Sequence, residues 1–258
     1  MSCNPAIGGG GKRQKVRGID ILGGLMGRIA DESGLQFKVL NKSKGRSVWS
    51  PRAQIDKRKY ERLVSKSVLV AEGVDFIKGE VVSLIIKNNS VGGVVLRSGE
   101  LIRSKTVVVT CGTFLSGVIH IGDRKILAGR MGDPPSIGLT EFLVSLGFKT
   151  IRLKTGTPPR ALRSSINWGK TEEDFGDAVP TPFSLFTKRF TPKNEPCHTV
   201  RTNFNTHSIK AKNAKLSPMY SGEIKGVGPR YCPSIEDKIK RFEHQPSHLL
   251  FLEPEWFN

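Results

Sequence analysis

The segment Gly226-Val227-Gly228-Pro229-Arg230-Tyr231-Cys232-Pro233-Ser234-Ile235-Glu236-Asp237-Lys238 carries the residue types best suited to chemistry: two glycines, two prolines, a cysteine and a Ser-x-x-Asp helix start. Glycine permits backbone conformations that other residues avoid, and proline fixes φ. Ser234 followed by Asp237 puts a cap and a carboxylate on the first turn of a helix, where a strict capping box would carry Glu or Gln. The N–H groups of such a turn form an anion site, and a cysteine beside them would have its thiolate stabilised. Two readings stand on these residues alone: an activated thiol, or a tight turn before an amphipathic helix.

The four cysteines, Cys3, Cys111, Cys197 and Cys232, are widely spaced, with no Cys-x-x-Cys pair. That spacing argues against a structural zinc site and a disulfide framework, and favours buried or reactive thiols in a reducing cytoplasm. Cys197-His198 is too small a constellation to hold a metal. Near the N-terminus, Gly8 to Gly11 leads into a helical pattern, which can bring a phosphate close to backbone N–H groups. A Walker pattern is absent, because Lys12 is followed by Arg13 rather than Ser or Thr.

The charge balance is 41 Lys and Arg against 23 Asp and Glu, a net +18, spread along the chain rather than gathered in one run. Such an excess favours polyanions: nucleic acid, a dinucleotide cofactor or an acidic partner. No apolar run approaches a membrane span, and Met1-Ser2-Cys3-Asn4-Pro5 lacks the basic head and apolar stretch of a secretory signal. A non-membrane, cytoplasmic protein of one large or two small domains is expected from the 258 residues.

The elements that must position these residues are legible in part. Val16, Ile19, Leu22, Met26 and Ile29 form the stripe of an amphipathic helix beginning at Lys12. Phe37–Leu40 reads as a strand, and Ser50-Pro51 as the cap and first residue of a helix reaching about Val70. Phe76-Ile77, Val81–Lys87 and Val91–Arg97 read as strands, with Asn88-Asn89-Ser90 as the turn joining the last two. Thr106–Thr110 is an apolar run suited to a parallel strand covered on both faces, ending at the Cys111-Gly112-Thr113 loop, where ligands bind in open α/β sheets. Gly132-Asp133-Pro134-Pro135-Ser136 starts a helix that ends at Gly147. A polar stretch from Thr155 to about Pro218, with β-like pieces such as Pro182–Phe186, reads as an inserted module. Asp237–Phe242 forms the body of the last helix.

Several of these runs together resemble one family, that of MnmG (GidA), the flavoprotein subunit that modifies wobble uridine C5 in tRNA. The matching runs are Met1–Gly9, Leu22–Met26, Pro51–Asp56, Gly112–Leu115 with His120–Gly122, Gly129–Ser136, Arg152–Arg160, Ser217–Tyr220, the Cys232 segment and Phe251–Glu255. They occur in order along nearly the whole chain. The resemblance implies an α/β, two-dinucleotide-binding, Rossmann-like flavoprotein fold with a small inserted domain. On it, residues 1–156 are part of the FAD-binding domain, 157–232 the inserted domain and 233–258 the return to the FAD-binding domain.

The resemblance also implies FAD, NADH as reductant, methylene-tetrahydrofolate as one-carbon donor, the GTPase MnmE as partner, tRNA as substrate and a homodimer. Val81 and Ser136 fall where the family contacts FAD. The nicotinamide dinucleotide segment covers Gly228, Pro229, Arg230, Tyr231, Cys232, Pro233, Ser234, Ile235, Glu236, Asp237, Lys238, Ile239, Lys240, Arg241 and Phe242. Cys3 and Cys232 match the two motif cysteines implicated in chemistry, as a nucleophile at uridine C6 or in proton transfer. Cys111 and Cys197 lie outside such motifs and read as structural thiols.

Departures from the family pattern are local and terminal. Arg13 and Gln14 stand where the family has glycine and histidine, Gly18 replaces an acidic residue, and Arg46 a proline. The family's opening strand, G-x-G-x-x-G turn and helix precede the position of Met1, and its helical domain follows Glu255. A sheet without its central strand would leave an open edge and an uncovered apolar face. The expectation is a truncated member that holds FAD poorly alone, with a catalytically impaired tRNA-binding or dimerisation fragment as the alternative.

Overall fold

The computed structural model describes residues 4–10, 12–154, 156–217 and 234–257. In chain order the regular elements are β1 (Ala6–Gly8), α1 (Arg13–Ile21), α2 (Leu25–Ser33), β2 (Gly34–Leu40), β3 (Ser50–Ile55), α3 (Lys57–Leu69), β4 (Val81–Lys87), β5 (Ser90–Leu96) and β6 (Leu101–Arg103). They continue with β7 (Val118–Ile121), β8 (Arg124–Leu127), α4 (Leu139–Ser145), β9 (Glu172–Asp174), β10 (Cys197–Arg201), α5 (Phe204–Asn213), α6 (Ile235–Arg241) and β11 (Leu249–Leu252). The chain divides into two compact units. The first comprises Met1–Asp75, Gly156–Ala211 and Arg230–Asn258, the second Phe76–Thr155 and Lys212–Pro229.

In the first unit, β3 lies between β1 and β2, antiparallel to both, and Ala53 pairs with Ile7 on one side and Phe37 on the other. Ile7, Ala53, Ile55 and Phe37 form the core of this unit together with Val16 and Ala30 from the helices and Phe183 from a distant loop. The outer edge of β2 is satisfied by a segment far along the chain. Asp177 N and Glu195 N donate to Phe37 O and Leu35 O at 2.8 and 2.9 Å, while the Asn194 amide oxygen accepts from Phe37 N at 2.8 Å. An edge strand covered in this way presents no free ladder to another chain. A second sheet, ordered β11-β10-β9 and antiparallel, completes the unit.

Two expectations for this unit change. The single amphipathic helix is two helices, because Gly23 adopts φ +86° and ends α1. Gly23 N donates to Asp20 O and Gly24 N to Ile19 O, both at 2.8 Å, the Schellman pattern in which a left-handed glycine stops a helix. Val16 and Ile29 are buried as the stripe requires, whereas Ile19 and Leu22 are exposed. Ser50-Pro51 does not cap a helix but opens the central strand, and the helix begins six residues later. There the Asp56 carboxylate accepts from Lys59 N at 2.9 Å. Burial of Ala53, Gln54 and Ile55 between two partner strands outweighs the local cap signal.

The second unit holds a sheet ordered β4-β5-β6 and the β7–β8 hairpin. The β4–β5 turn is as expected: Asn88 and Asn89 both take positive φ, 50° and 59°, as a two-residue hairpin turn demands. Thr106–Thr110 is not a strand here, and Val108 is 83% exposed. Its backbone pairs with no strand among the described residues, and an extended run becomes a strand only through such pairing. All the paired strands described are antiparallel, so the parallel sheet expected at this run is not formed, and Phe76-Ile77 and Pro182–Phe186 are likewise outside any strand. The helix expected from Gly132 starts at Leu139, with the Glu141 carboxylate accepting from Gly138 N at 2.9 Å, and Gly147 with φ +86° follows its end.

Gly8 gives a sharp test of the first unit. Its φ is +81°, and a Cβ there would lie 2.3 Å from the carbonyl oxygen of Pro51 and 2.6 Å from the Phe183 ring. Both the backbone conformation and the space exclude a side chain. Gly8→Ala is expected to destabilise the unit by roughly 3 kcal/mol or more, read as a lowered urea midpoint.

Candidate functional site

Asn4 follows the motif cysteine Cys3 and is the first described residue of the chain. Its side chain meets residues from two other family-matching runs, both in the first unit. The Gln54 amide, fully buried on β3, donates to Asn4 Oδ1 and to Pro254 O, each at 2.8 Å. The Asn4 amide in turn donates to the Glu253 carboxylate. Arg52 donates to Gln54 Oε1 at 3.0 Å and pairs with Glu253 Oε1 at 2.5 Å. The backbone follows the same path, since Ile55 N donates to Pro5 O at 2.8 Å.

Around this network the next residues are tied down as well. Arg160 pairs with Glu255 Oε1 at 2.8 Å, and the Glu255 carbonyl accepts from Lys57 N at 2.8 Å. The strand β3 therefore fixes the residue after Cys3 from one side while the Glu253-Pro254-Glu255 turn fixes it from another. Such a satisfied polar network rigidifies its members because each unmade bond would leave a desolvated donor or acceptor.

The helix start after Cys232 is formed as its sequence suggests. Ser234 Oγ accepts from Asp237 N at 3.2 Å and Asp237 Oδ2 accepts from Ser234 N at 3.3 Å, a reciprocal box with Asp in place of Glu. Glu236 pairs with Lys210 of α5 at 2.9 Å, and Lys238 Nζ donates to Leu249 O at 3.5 Å. These contacts tie the helix that carries Ser234, Ile235, Glu236, Asp237, Lys238, Ile239, Lys240, Arg241 and Phe242 to α5 through Glu236 and to β11 through Lys238. Cys3 and Cys232, with Gly228, Pro229, Arg230, Tyr231 and Pro233, lie outside the described residues.

Val81 and Ser136 both belong to the second unit, 55 positions apart, and the fold brings their neighbours together. Glu80 Oε1, beside Val81, accepts from Ile137 N at 3.2 Å, and Arg97, paired with Glu80 at 2.6 Å, donates to Ile137 O at 2.9 Å. The Arg97 hydrogen bond holds the Glu80 carboxyl below its ordinary range. Ser136 itself exchanges backbone bonds with Phe114 and Ser116, both at 2.9 Å.

Cys197 is a structural thiol. It is buried on β10, and burial, followed by the nearby Glu253 carboxylate, pushes its pKa up to about 12. Cys111 is half-buried and unbonded to another cysteine. His198 binds Thr171 Oγ1 through Nδ1 at 2.9 Å and packs on Trp168 with ring centroids 4.6 Å apart.

Sequence reading did not single out Asn4, Arg52, Gln54, Glu253, Glu255 or Arg160 as site residues, although every one sits inside a run that carries the family resemblance. The signal that was available is Gln54 between Ala53 and Ile55: an amide flanked by apolar strand residues must find partners once it is buried.

The glucose-inhibited division protein A family model matches residues 1–258. The chain belongs to the GidA family. The tRNA uridine 5-carboxymethylaminomethyl modification enzyme MnmG of Thermodesulfovibrio yellowstonii is 47% identical over 255 residues, covering 99% of this chain and 41% of that protein. The same enzyme of Chlorobium phaeobacteroides is 47% identical over 257 residues, again covering 99% and 41%. The form I crystal structure of Aquifex aeolicus GidA superposes with a TM-score of 0.92 at 47% identity, covering 100% of this chain and 44% of that one. The form II crystal gives a TM-score of 0.89 at 44% identity, covering 100% and 42%. The chain thus spans about two-fifths of the length of the curated relatives it matches. The α/β class read from the sequence holds, as part of the Rossmann-like flavoprotein fold of the GidA structures. Among the described residues no helix is long and apolar enough to cross a membrane.

Proposed function

We propose that this GidA chain acts in tRNA wobble-uridine modification, adding a carboxymethylaminomethyl-type group at C5. The observation that supports this reading most directly is the collinear match over 99% of the chain to relatives named for that activity. FAD, NADH and methylene-tetrahydrofolate are the proposed cofactors and one-carbon donor, with tRNA, the GTPase MnmE and a second copy of the chain as partners in the cytoplasm. The domain assignment that goes with it is partial FAD-binding domain, inserted domain and return.

The glycine loop is compatible with a flavin cofactor. Gly10 has no close neighbour at its would-be Cβ and no positive φ, so nothing inside the described chain requires glycine there. Close approach of a ligand to the backbone would require it. Helix α1 opens at Lys12 without a capping side chain, which leaves its first N–H groups available to an anion. When bound, FAD would supply reducing equivalents to this chemistry, with NADH as the reductant. Val81 and Ser136 are the proposed contacts in the second unit, and the segment from Gly228 to Phe242 is the proposed nicotinamide dinucleotide segment.

Cys3 and Cys232 are the proposed catalytic residues. One thiolate would add to C6 of the uridine, raising the nucleophilicity of C5, and one would serve in proton transfer, with the two roles unassigned between them. Asn4 and Ser234 are the described residues nearest these cysteines in sequence, and their networks would hold the flanking backbone at a fixed place during the reaction.

Complementation tests the reading. In cells lacking the native enzyme, expression of the chain is expected to restore C5-modified wobble uridine, measured by nucleoside mass spectrometry, and Cys232→Ser to abolish it. Absence of rescue with salt-sensitive tRNA binding retained supports the binding-fragment alternative instead. Flavin absorbance of the purified chain, at less than one per chain, is the accompanying expectation for the cofactor.

A further inference from the structure

Helix α3, Lys57-Arg58-Lys59-Tyr60-Glu61-Arg62-Leu63-Val64-Ser65-Lys66-Ser67-Val68-Leu69, violates the charge preferences of a stable helix. Three cations fill its first turn, where the dipole favours acids, and Arg58, Arg62 and Lys66 recur at i, i+4 and i+8 as like-charge neighbours. Glu61 is the one acid in the helix. Self-repulsion of this kind is relieved when an anion lies along the stripe.

The same face opens into a cleft of about 340 Å³ lined by Asp56, Arg58, Lys59, Arg62 and Phe257. The cations in it are left available. Among the described residues no acidic side chain pairs with Lys59 or Arg62. Arg58 is stacked 4.1 Å from the Trp256 ring, which fixes its plane but leaves its N–H edge to donate. The Asp56 carboxylate is already committed, accepting from Lys59 N at 2.9 Å and Phe257 N at 3.1 Å.

We propose that this cleft binds the phosphodiester backbone of single-stranded RNA, with Arg58 and Arg62 on phosphates and the Phe257 ring against a base. Three features select that ligand class. The stripe from Arg58 to Lys66 runs about 12 Å along the helix, longer than one phosphate and suited to a repeating anion. The cleft has an aromatic wall, as sequence-tolerant single-strand sites do. The charge of the whole chain, +18, points the same way. The choice of tRNA as the natural source rests on the proposed function, and the cleft gives that function a surface outside the cysteine segments.

A labelled anticodon stem-loop RNA, titrated with the whole chain from about 50 to about 200 mM salt, measures the contact by fluorescence anisotropy. Arg58→Gln/Arg62→Gln is expected to lower the salt slope by about 1.5 and weaken low-salt binding roughly tenfold or more. Phe257→Ala should weaken binding roughly tenfold while keeping the slope. Arg124→Gln/Lys149→Gln removes the same charge from exposed positions of the second unit and should keep the parental slope. An unchanged slope in the Arg58/Arg62 variant, equal loss in the control pair, or no RNA binding by the parent overturns the cleft. Modification is scored separately in cells: failed rescue with the slope difference intact counts against the proposed function alone.

Discussion

Glu253→Ala will unfold the first unit at markedly lower urea, by about 3 kcal/mol, with a melting temperature lower by roughly 6–12 °C. The Arg52 and Glu253 side chains are 19% and 18% exposed, so their pair falls nearer the buried regime than the weak surface one. Removing the carboxylate leaves the Arg52 guanidinium without its ionic partner and strips the acceptor from the Asn4 amide. Glu253→Gln keeps the shape and one acceptor and should cost about a third as much. Trp49, Trp168 and Trp256 all belong to the first unit, so tryptophan fluorescence reports this transition. Parental stability in Glu253→Ala would show that the network does not hold the segment after Cys3.

Asp31→Ala is expected to be about as severe, roughly 3–5 kcal/mol, for a different reason. Asp31 lies on α2 and its carboxylate holds a loop some 150 residues away. It accepts from Phe183 N at 2.7 Å, Ser184 N at 3.0 Å and Thr187 Oγ1 at 2.6 Å. Phe183, 1% exposed, is thereby delivered into the core over Gly8. Losing the carboxylate strands buried N–H groups and frees the ring that fills the centre of the unit.

The pH dependence of this site has a definite sign. Burial raises the Asp31 carboxyl above its ordinary value; the Thr187, Phe183 and Ser184 bonds oppose this, and the nearby Asp20 carboxylate adds to it. A folded value above the unfolded one, about 3.9, means that the folded chain holds the proton more tightly. The stability from this group is complete below about pH 4 and is lost as pH rises through the folded value. Urea midpoints between about pH 4 and 7 should therefore show the parent's advantage over Asp31→Asn narrowing as pH rises. A constant gap would mean that the Asp31 carboxyl is not raised.

Local signals succeeded where the deciding interactions are local. The Asn88-Asn89 turn and its two strands, the Ser234–Asp237 helix start and the half-stripe of Val16, Met26 and Ile29 all depend on residues within a few positions of one another. They failed where distant chain decided the outcome. Ser50-Pro51 looks like a cap, yet the following residues join β1 and β2, so Asp56 became the cap. Val107–Val109 looks like a core strand, yet a strand exists only beside a partner. Pro182–Phe186 looks β-like, yet Asp31 and Asp20 hold it as a pinned loop.

The order of motif runs along the chain already determined the family and the α/β class, because such runs record chemistry and turn geometry that are written in consecutive residues. Only the tertiary structure decided that Asn4, Arg52, Gln54 and Glu253 form one network, or that α3 lines a basic cleft with Phe257. Those groups are separated by up to 249 positions. Hydrogen bonds and burial act over a few ångströms of space, and separation along the chain carries no record of that proximity.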